Sequence, residues 1–353
     1  MTEIPLPDAT CAEQARVRQD QLTKPTGALG RLEDLSVWAA AVQGQCPPRP
    51  FQRVHLTIFA GDHGVARTAR TSAYPPEVTG QMVRNLVTGG AGASVLARLH
   101  GVQLQVVDLA VDCEPDYLAD LGDLARPEPS STRIRRSSGS IDREDALTRQ
   151  QVEQAISVGR ACADEAIDAG ADLLIAGDMG IGNTTPAATL IGLLTHRDAA
   201  QVTGRGTGID DATWMRKCTA IREAMRRARP ILGDPLALLG CCAGADIAAM
   251  VGYLSRSTER GVPLILDGTV VTAAALVVDR QHHRARKWWL AGHRSTEPAH
   301  HFALEYLDLE PVVDLRMRLG EGTGALMALG TLQAAIALAE QMATFEQASV
   351  SNR

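Results

Sequence analysis

LLIAGDMGIGNTTPAATL, residues 173–190, reads as a strand, a turn and a helix in that order. Leu173, Leu174, Ile175 and Ala176 make a short continuous apolar run of the kind that forms a fully buried strand. Gly177, Asp178, Gly180 and Gly182 end that run. Asn183, Thr184, Thr185 and Pro186 then open an apolar helical pattern, with a capping hydroxyl and a proline near the first turn. Gly180 and Gly182 leave backbone N–H groups bare and permit positive φ, and the helix N-terminus adds its dipole, so the turn can seat a phosphate. It is not a Walker loop, because no Gly-Lys-Ser/Thr occurs here, and Thr185 stands where a dinucleotide fingerprint needs its third glycine. A tight turn without a ligand fits the same residues.

The pattern recurs outward from this stretch. Apolar runs at 54–59, 102–109, 262–266 and 288–290 end in Asp62-His63, Asp108, Asp267-Gly268 and Gly292-His293. A clean amphipathic helix is expected over 148–169, and further helices at 78–86, 211–229, 236–253, 269–278 and 295–307, the last opened by Ser295. Residues 122–145 lack periodicity and read as a long surface loop. Continuous apolar strands alternating with helices predict an α/β fold: a Rossmann-like parallel sheet with helices on both faces. We assign it to residues 51–320, with residues 1–50 and 321–353 forming a small helical subdomain packed on it. In open parallel sheets ligands bind at the carboxyl ends of the strands, so the unusual residues after each strand should converge on one edge.

Composition narrows the function. The chain has 353 residues, 45% of them hydrophobic and 22% charged, which suits a globular protein with a substantial core. A net charge of −6 and no basic, aromatic-interleaved patch argue against nucleic acid as a partner. Aromatics are 3%, so the core must rest on Ala, Leu, Val and Ile with close helix contacts. No apolar run reaches membrane-spanning length and residues 1–20 are polar, so neither a membrane nor a signal peptide is expected. Seven scattered cysteines without a C-x-x-C pair read as reduced thiols in a cytoplasmic protein.

Among candidate chemical groups, Glu321 stands between two glycines that give it no side-chain cover. If water is excluded there its pKa rises, which suits a base near neutrality; an acid serving a helix dipole is the plainer alternative. Lys217 is one of only three lysines and follows the Gly204–Gly208 turn, where it can pair with a phosphate or simply be solvated. The histidine pairs lack His-Glu-x-x-His spacing, so no zinc site is expected, and no Gly-x-Ser-x-Gly elbow is present. The residues alone therefore point to an α/β enzyme that binds a phosphorylated small molecule and carries a carboxylate base.

Eight segments together are similar to one family. They are KPTGALGRLEDL (24–35), GDHGVA (61–66), SAYPPEVTGQMV (72–83), GDMGIGNTT (177–185), GRGTGIDD (204–211), LILDG (264–268), AGHRSTEP (291–298) and MRLGEGTGA (317–325). In this order they resemble nicotinate-nucleotide–dimethylbenzimidazole phosphoribosyltransferases, which make the lower-ligand nucleotide of cobalamin. The resemblance implies transfer of a 5-phosphoribosyl group from nicotinate mononucleotide to a benzimidazole base, with inversion and with Glu321 as general base. It implies that Asp178, Gly180, Ile181, Gly182, Asn183, Thr184, Gly206, Lys217 and Arg318 hold the nucleotide, its phosphate lying near Lys217. Ser72, Tyr74, Gln81, Met179 and Leu319 would line the pocket for the flat base. No metal or cofactor is implied, and a homodimer is. The chain departs from the family pattern at Asp178, where Glu is commoner, at Thr26, where Pro is frequent, and at Ala243, where a Gly-Gly pair is common. Two other functions compete with this one: a metal-dependent phosphatase or nucleotidyl hydrolase using Asp62, His63 and Asp178, and a nucleotide sensor without turnover.

Overall fold

The computed structural model describes residues 4–114, 116–125 and 129–351. Its centre is a six-stranded, all-parallel sheet of β1 (Val54–Gly61), β2 (Gln103–Ala110), β3 (Leu173–Met179), β4 (Leu264–Leu266), β5 (Trp289–His293) and β6 (Pro311–Val313). The strand order is β2-β1-β3-β4-β5-β6, so the winding direction reverses between β1 and β3. The crevice beyond the strand ends at such a reversal is where open parallel sheets bind ligands. β1 and β3 are buried nearly end to end, as strands covered on both faces must be.

The helices flanking the sheet pack backbone to backbone, which is how a core with few aromatics fills its space. Helix Arg149–Asp168 is opened by a reciprocal Thr148–Gln151 capping box and lies against helix Ala245–Glu259. A Cβ added at Gly159 would fall 1.8 Å from the Ala249 carbonyl oxygen, and one at Gly252 would fall 2.1 Å from that of Ile156. Helix Thr184–Leu194 is buried from Thr185 onward, matching its apolar circumference.

The terminal segments meet. Arg18 donates to the carbonyls of Ala339 and Glu340, Gln19 donates to Ser36, and Leu22 pairs with Thr344. Helix Thr323–Gln341 also lies on the sheet, with Gly292 of β5 so close that a Cβ there would approach the Ala325 Cα to 2.7 Å. By length and composition this helix could cross a membrane, contrary to the expectation that no run does. More than half of it is buried against the protein instead.

Other expectations need correction. The single helix expected over 236–253 is two, Pro235–Cys242 and Ala245–Glu259. At the break Gly244 presses on a buried histidine, since a Cβ there would sit 2.4 Å from His63 Cε1. The helix assigned to Ser295 begins at Pro298, and Ser295 Oγ instead accepts the Glu297 N–H at 3.3 Å. Part of the stretch read as surface loop is anchored: Ile141 is buried and Ser138 bridges to His63, while residues 126–128 lie outside the described ones. β6 is three half-buried residues, too short to announce itself as a run.

Candidate active site

The turn after β3 is built from below. The Ile181 N–H donates to Asp62 Oδ1 at 3.2 Å and Thr79 Oγ1 at 3.0 Å, and Asp62 also accepts from the Asp112 N–H at 2.7 Å. Burial pushes the Asp62 carboxyl up to about 6, against the pull of its donors, Thr79 first. Gly182 takes φ +94°, as expected of a turn glycine, but Gly180 does not have positive φ. Gly180 is needed for a different reason: a Cβ there would lie 1.9 Å from the Gly61 carbonyl oxygen of β1. Nor does a hydroxyl cap the helix. Its N-cap is Asn183, whose Nδ2 reaches back to Asp178 Oδ2 at 2.7 Å. Burial, with Asp267 and Asp246 nearby, holds the Asp178 carboxyl well above the usual carboxylate range.

Glu321 is delivered to the same place by a run of three left-handed residues, Gly320, Glu321 and Gly322, with φ of 80°, 61° and 82°. Its N–H donates to the Asp178 carbonyl at 3.1 Å. Gly177 makes this approach possible, since a Cβ there would come within 2.8 Å of the Glu321 carbonyl carbon. Asp267, just after β4, accepts the N–H of Gly322 at 3.1 Å and of Ala325 at 3.0 Å, so both its oxygens brace the loop. Glu321 is 3% exposed. Burial raises its carboxyl above the ordinary value; the Ala93 N–H, 3.5 Å away at the start of helix Gly92–His100, pulls downward, and Asp267 adds to the rise.

A second glycine loop, 204–208, closes the far end. Helix Asp211–Ala228, capped by Asp210, carries Lys217 inward, where its Nζ donates to Thr184 Oγ1 at 2.8 Å. Lys217 is 1% exposed; burial pulls its ammonium down and the Glu297 carboxylate opposes that pull. Glu297 Oε1 accepts the Gly206 N–H at 2.8 Å, and Gly204 must be glycine because a Cβ would strike Glu297 Oε2 at 1.9 Å. One cleft of about 450 Å³ contains both ends, from Lys217 and Gly206 to Asp178 and Glu321.

A family profile described as Phosphoribosyltransferase matches residues 4–350. A nicotinate-nucleotide–dimethylbenzimidazole phosphoribosyltransferase of Mycobacterium marinum is 57% identical, over 99% of this chain and 94% of its own. That of Mycobacterium tuberculosis is 54% identical, again over 99% and 94%. The solved structure of the enzyme so named from Thermus thermophilus superposes with a TM-score of 0.89 at 39% identity, covering 98% of this chain and 100% of that one. This chain belongs to the nicotinate-nucleotide–dimethylbenzimidazole phosphoribosyltransferase family. It is a pentosyltransferase of cobalamin lower-ligand synthesis, and the phosphatase and sensor readings lose their support. The side chains agree on the first of these: Asp62 is turned to Thr79, His63 to Asp246 at 3.1 Å, and Asp178 to Asn183.

In this family member the cleft gathers the residues singled out for the nucleotide: Asp178, Gly180, Ile181, Gly182, Asn183, Thr184, Gly206, Lys217 and Arg318, together with Glu321. Of those named for the base, Ser72, Tyr74, Met179 and Leu319 also line it. Gln81 does not; it is exposed on helix Glu77–Val87, and Val78 and Met82, one helical turn apart, face the cleft in its place. Glu297, Thr269 and Val270 line the cleft without having been singled out, and His293 stood out only as a residue after a strand. No local pattern marked Glu297, whose carboxylate meets the Gly206 N–H across 91 residues of sequence.

Proposed function

We propose that this enzyme moves the 5-phosphoribosyl group of nicotinate mononucleotide to 5,6-dimethylbenzimidazole, giving α-ribazole 5′-phosphate and nicotinate. The contact that carries this reading is the Glu321 N–H on the Asp178 carbonyl, which ties the carboxylate to the turn leading to Thr184 and Lys217. The phosphate lies against Lys217, Thr184 and the Gly206 loop, where the buried Lys217 ammonium and the Thr184 hydroxyl favour an anion. The ring nitrogen of the base that carries no proton attacks the anomeric carbon. The bond to nicotinate breaks with its electron pair going to the pyridine nitrogen, whose positive charge is thereby lost. Glu321 takes the proton from the other ring nitrogen, and its burial, which raises its basicity, fits it for that work. Positive charge growing on the ribose is steadied by the same carboxylate. Met179, Val78, Met82, Tyr74 and Leu319 offer the flat base an apolar wall.

No metal or cofactor enters this reading. The assembly it proposes is a homodimer, supported by the exposure of Tyr74 at 55% and Leu319 at 57% on the cleft wall, where a second copy would cover them. A cytoplasmic location is supported by seven cysteines that are all free. Incubating the purified protein with both substrates in excess EDTA tests the chemistry: nicotinate and the α-ribotide should appear in equal amounts. No nicotinate release would refute it, and light scattering giving the mass of one chain would refute the dimer.

A further inference from the structure

Beneath the cleft, two walls that face different ligands are joined on one buried carboxylate. Asp62 follows β1 and Thr79 sits in helix Glu77–Val87; both are buried and neither lines the cleft. Every polar group of Asp62 is engaged with another part of the chain. Its N–H donates to the Ala110 carbonyl of β2 at 3.0 Å and its carbonyl accepts the Ser138 N–H at 2.8 Å, so its backbone is fixed. Its Oδ2 accepts the Asp112 N–H at 2.7 Å. Its Oδ1 takes the Thr79 hydroxyl and, at 3.2 Å, the Ile181 N–H. The Thr79 hydroxyl closes the triangle by accepting the same Ile181 N–H at 3.0 Å. The other side of Ile181 is held too, since its carbonyl accepts the His63 N–H at 3.3 Å.

Ile181 belongs to the glycine turn and lines the cleft beside Thr184. Thr79 lies in sequence between Val78 and Met82, which face the cleft from the wall proposed for the base. No side chain caps the start of that helix, and among the described residues Thr79 is its one side chain bonded to the glycine turn. Its Arg84 reaches away, to the Tyr117 carbonyl and to Asp120. We propose that Asp62 and Thr79 are positioning residues for the transfer: they hold the apolar wall in register with the glycine turn, so that acceptor and donor meet at a fixed separation. This rests on the two-substrate reading given above. A carboxylate suits the task because it accepts on both oxygens, where an amide of the same shape would turn a donor toward one of the N–H groups. A threonine suits it because its hydroxyl donates to the acid and accepts from the turn at once.

Thr79→Val keeps the volume and removes the hydroxyl, which leaves each wall whole and loosens only their register. In the whole enzyme kcat should fall roughly tenfold or more, because small misplacements of reacting groups are costly. Calorimetric affinities for nicotinate mononucleotide alone and for dimethylbenzimidazole alone should stay close to wild type. Thr79→Ser, which keeps the hydroxyl, should restore kcat. Asp62→Asn should behave like Thr79→Val, and the double variant should be little worse than either, since both break one link. A wild-type kcat in Thr79→Val, an equal loss of affinity for each substrate alone, or a serine variant as slow as the valine one would overturn the proposal. Thermal melts identify variants that fail to fold, and deuterium exchange on the wild type then decides. Nicotinate mononucleotide alone should slow exchange in residues 77–87, and no slowing overturns the link. Wild-type nicotinate release is assayed separately: its absence sinks the transferase reading and leaves the link to the exchange result, and release with an unchanged Thr79→Val kcat sinks the link alone.

Discussion

The two ends of the cleft are built on opposite plans. At the proposed phosphate end the polar groups are already held: Lys217 on Thr184, the Gly206 N–H on Glu297, the glycine turn on Asp62 and Thr79. At the proposed base end the wall is apolar and partly open, with Tyr74 and Leu319 more than half exposed. Under the proposed function the closed end should accept one shape and one charge, because its groups are pinned in place before a ligand arrives and the buried Lys217 ammonium favours an anion. The open end loses little to a misfit, since one methylene in an apolar pocket discriminates only weakly. Under the proposed function, strict choice of the phosphoribosyl donor and broad choice of the flat acceptor are the expected consequences of that difference.

Glu321→Gln should have the largest effect, because it removes the proton acceptor while keeping the shape. Turnover should fall by roughly 10²-fold or more with nucleotide affinity nearly intact, and wild-type rates in steady-state assays would break the assignment. The raised Glu321 carboxyl carries a pH signature: activity needs its ionised form, so kcat/KM should fall as pH drops through a value above the ordinary carboxylate range. A profile flat across that range would exclude Glu321 as the base.

Lys217→Met should come next, with the loss in donor binding rather than in the chemistry of bound substrate. A charge-assisted bond to phosphate is worth about 1.5–3 kcal/mol, roughly ten- to a hundredfold in KM for the nucleotide. An unchanged KM would mean that the closed end seats something other than the phosphate. Leu319→Ala at the open end should be the mildest, raising KM for dimethylbenzimidazole by a few-fold, since a half-exposed leucine has little surface left to bury. A loss at Leu319 as large as that at Lys217 would erase the contrast between the two ends.

The strands and their turns were legible because a strand buried on both faces writes itself as an unbroken apolar run, as 173–176 does. Glu321 drew notice because two flanking glycines give its carboxylate no side-chain cover, although an acid serving a helix dipole fitted the same residues. Gln81 was named from the family resemblance, and its place could not be read before the packing face of its helix was known: Val78 and Met82 turn inward together and leave Gln81 exposed. Gly180 misled in a subtler way. Its lack of a side chain serves a close approach to the Gly61 carbonyl at the end of β1, a partner far away in sequence, and no local pattern encodes such a contact. Thr269, His293 and Glu297 reach the cleft through contacts far apart in sequence, which only the folded chain supplies.

The left-handed run at Gly320, Glu321 and Gly322 sets the reach of the site. Holding a glutamate at φ 61° costs roughly 1–2 kcal/mol, offset where Asp267 and the Asp178 carbonyl grip the loop. The carboxylate is thereby fastened to the very strand that launches the glycine turn, so the span between Glu321 and the proposed anion seat is fixed by sheet geometry. Under the proposed function the donor is gauged by length: a nucleotide with one phosphate should bring its anomeric carbon to the acid, and a longer tail should carry that carbon past it.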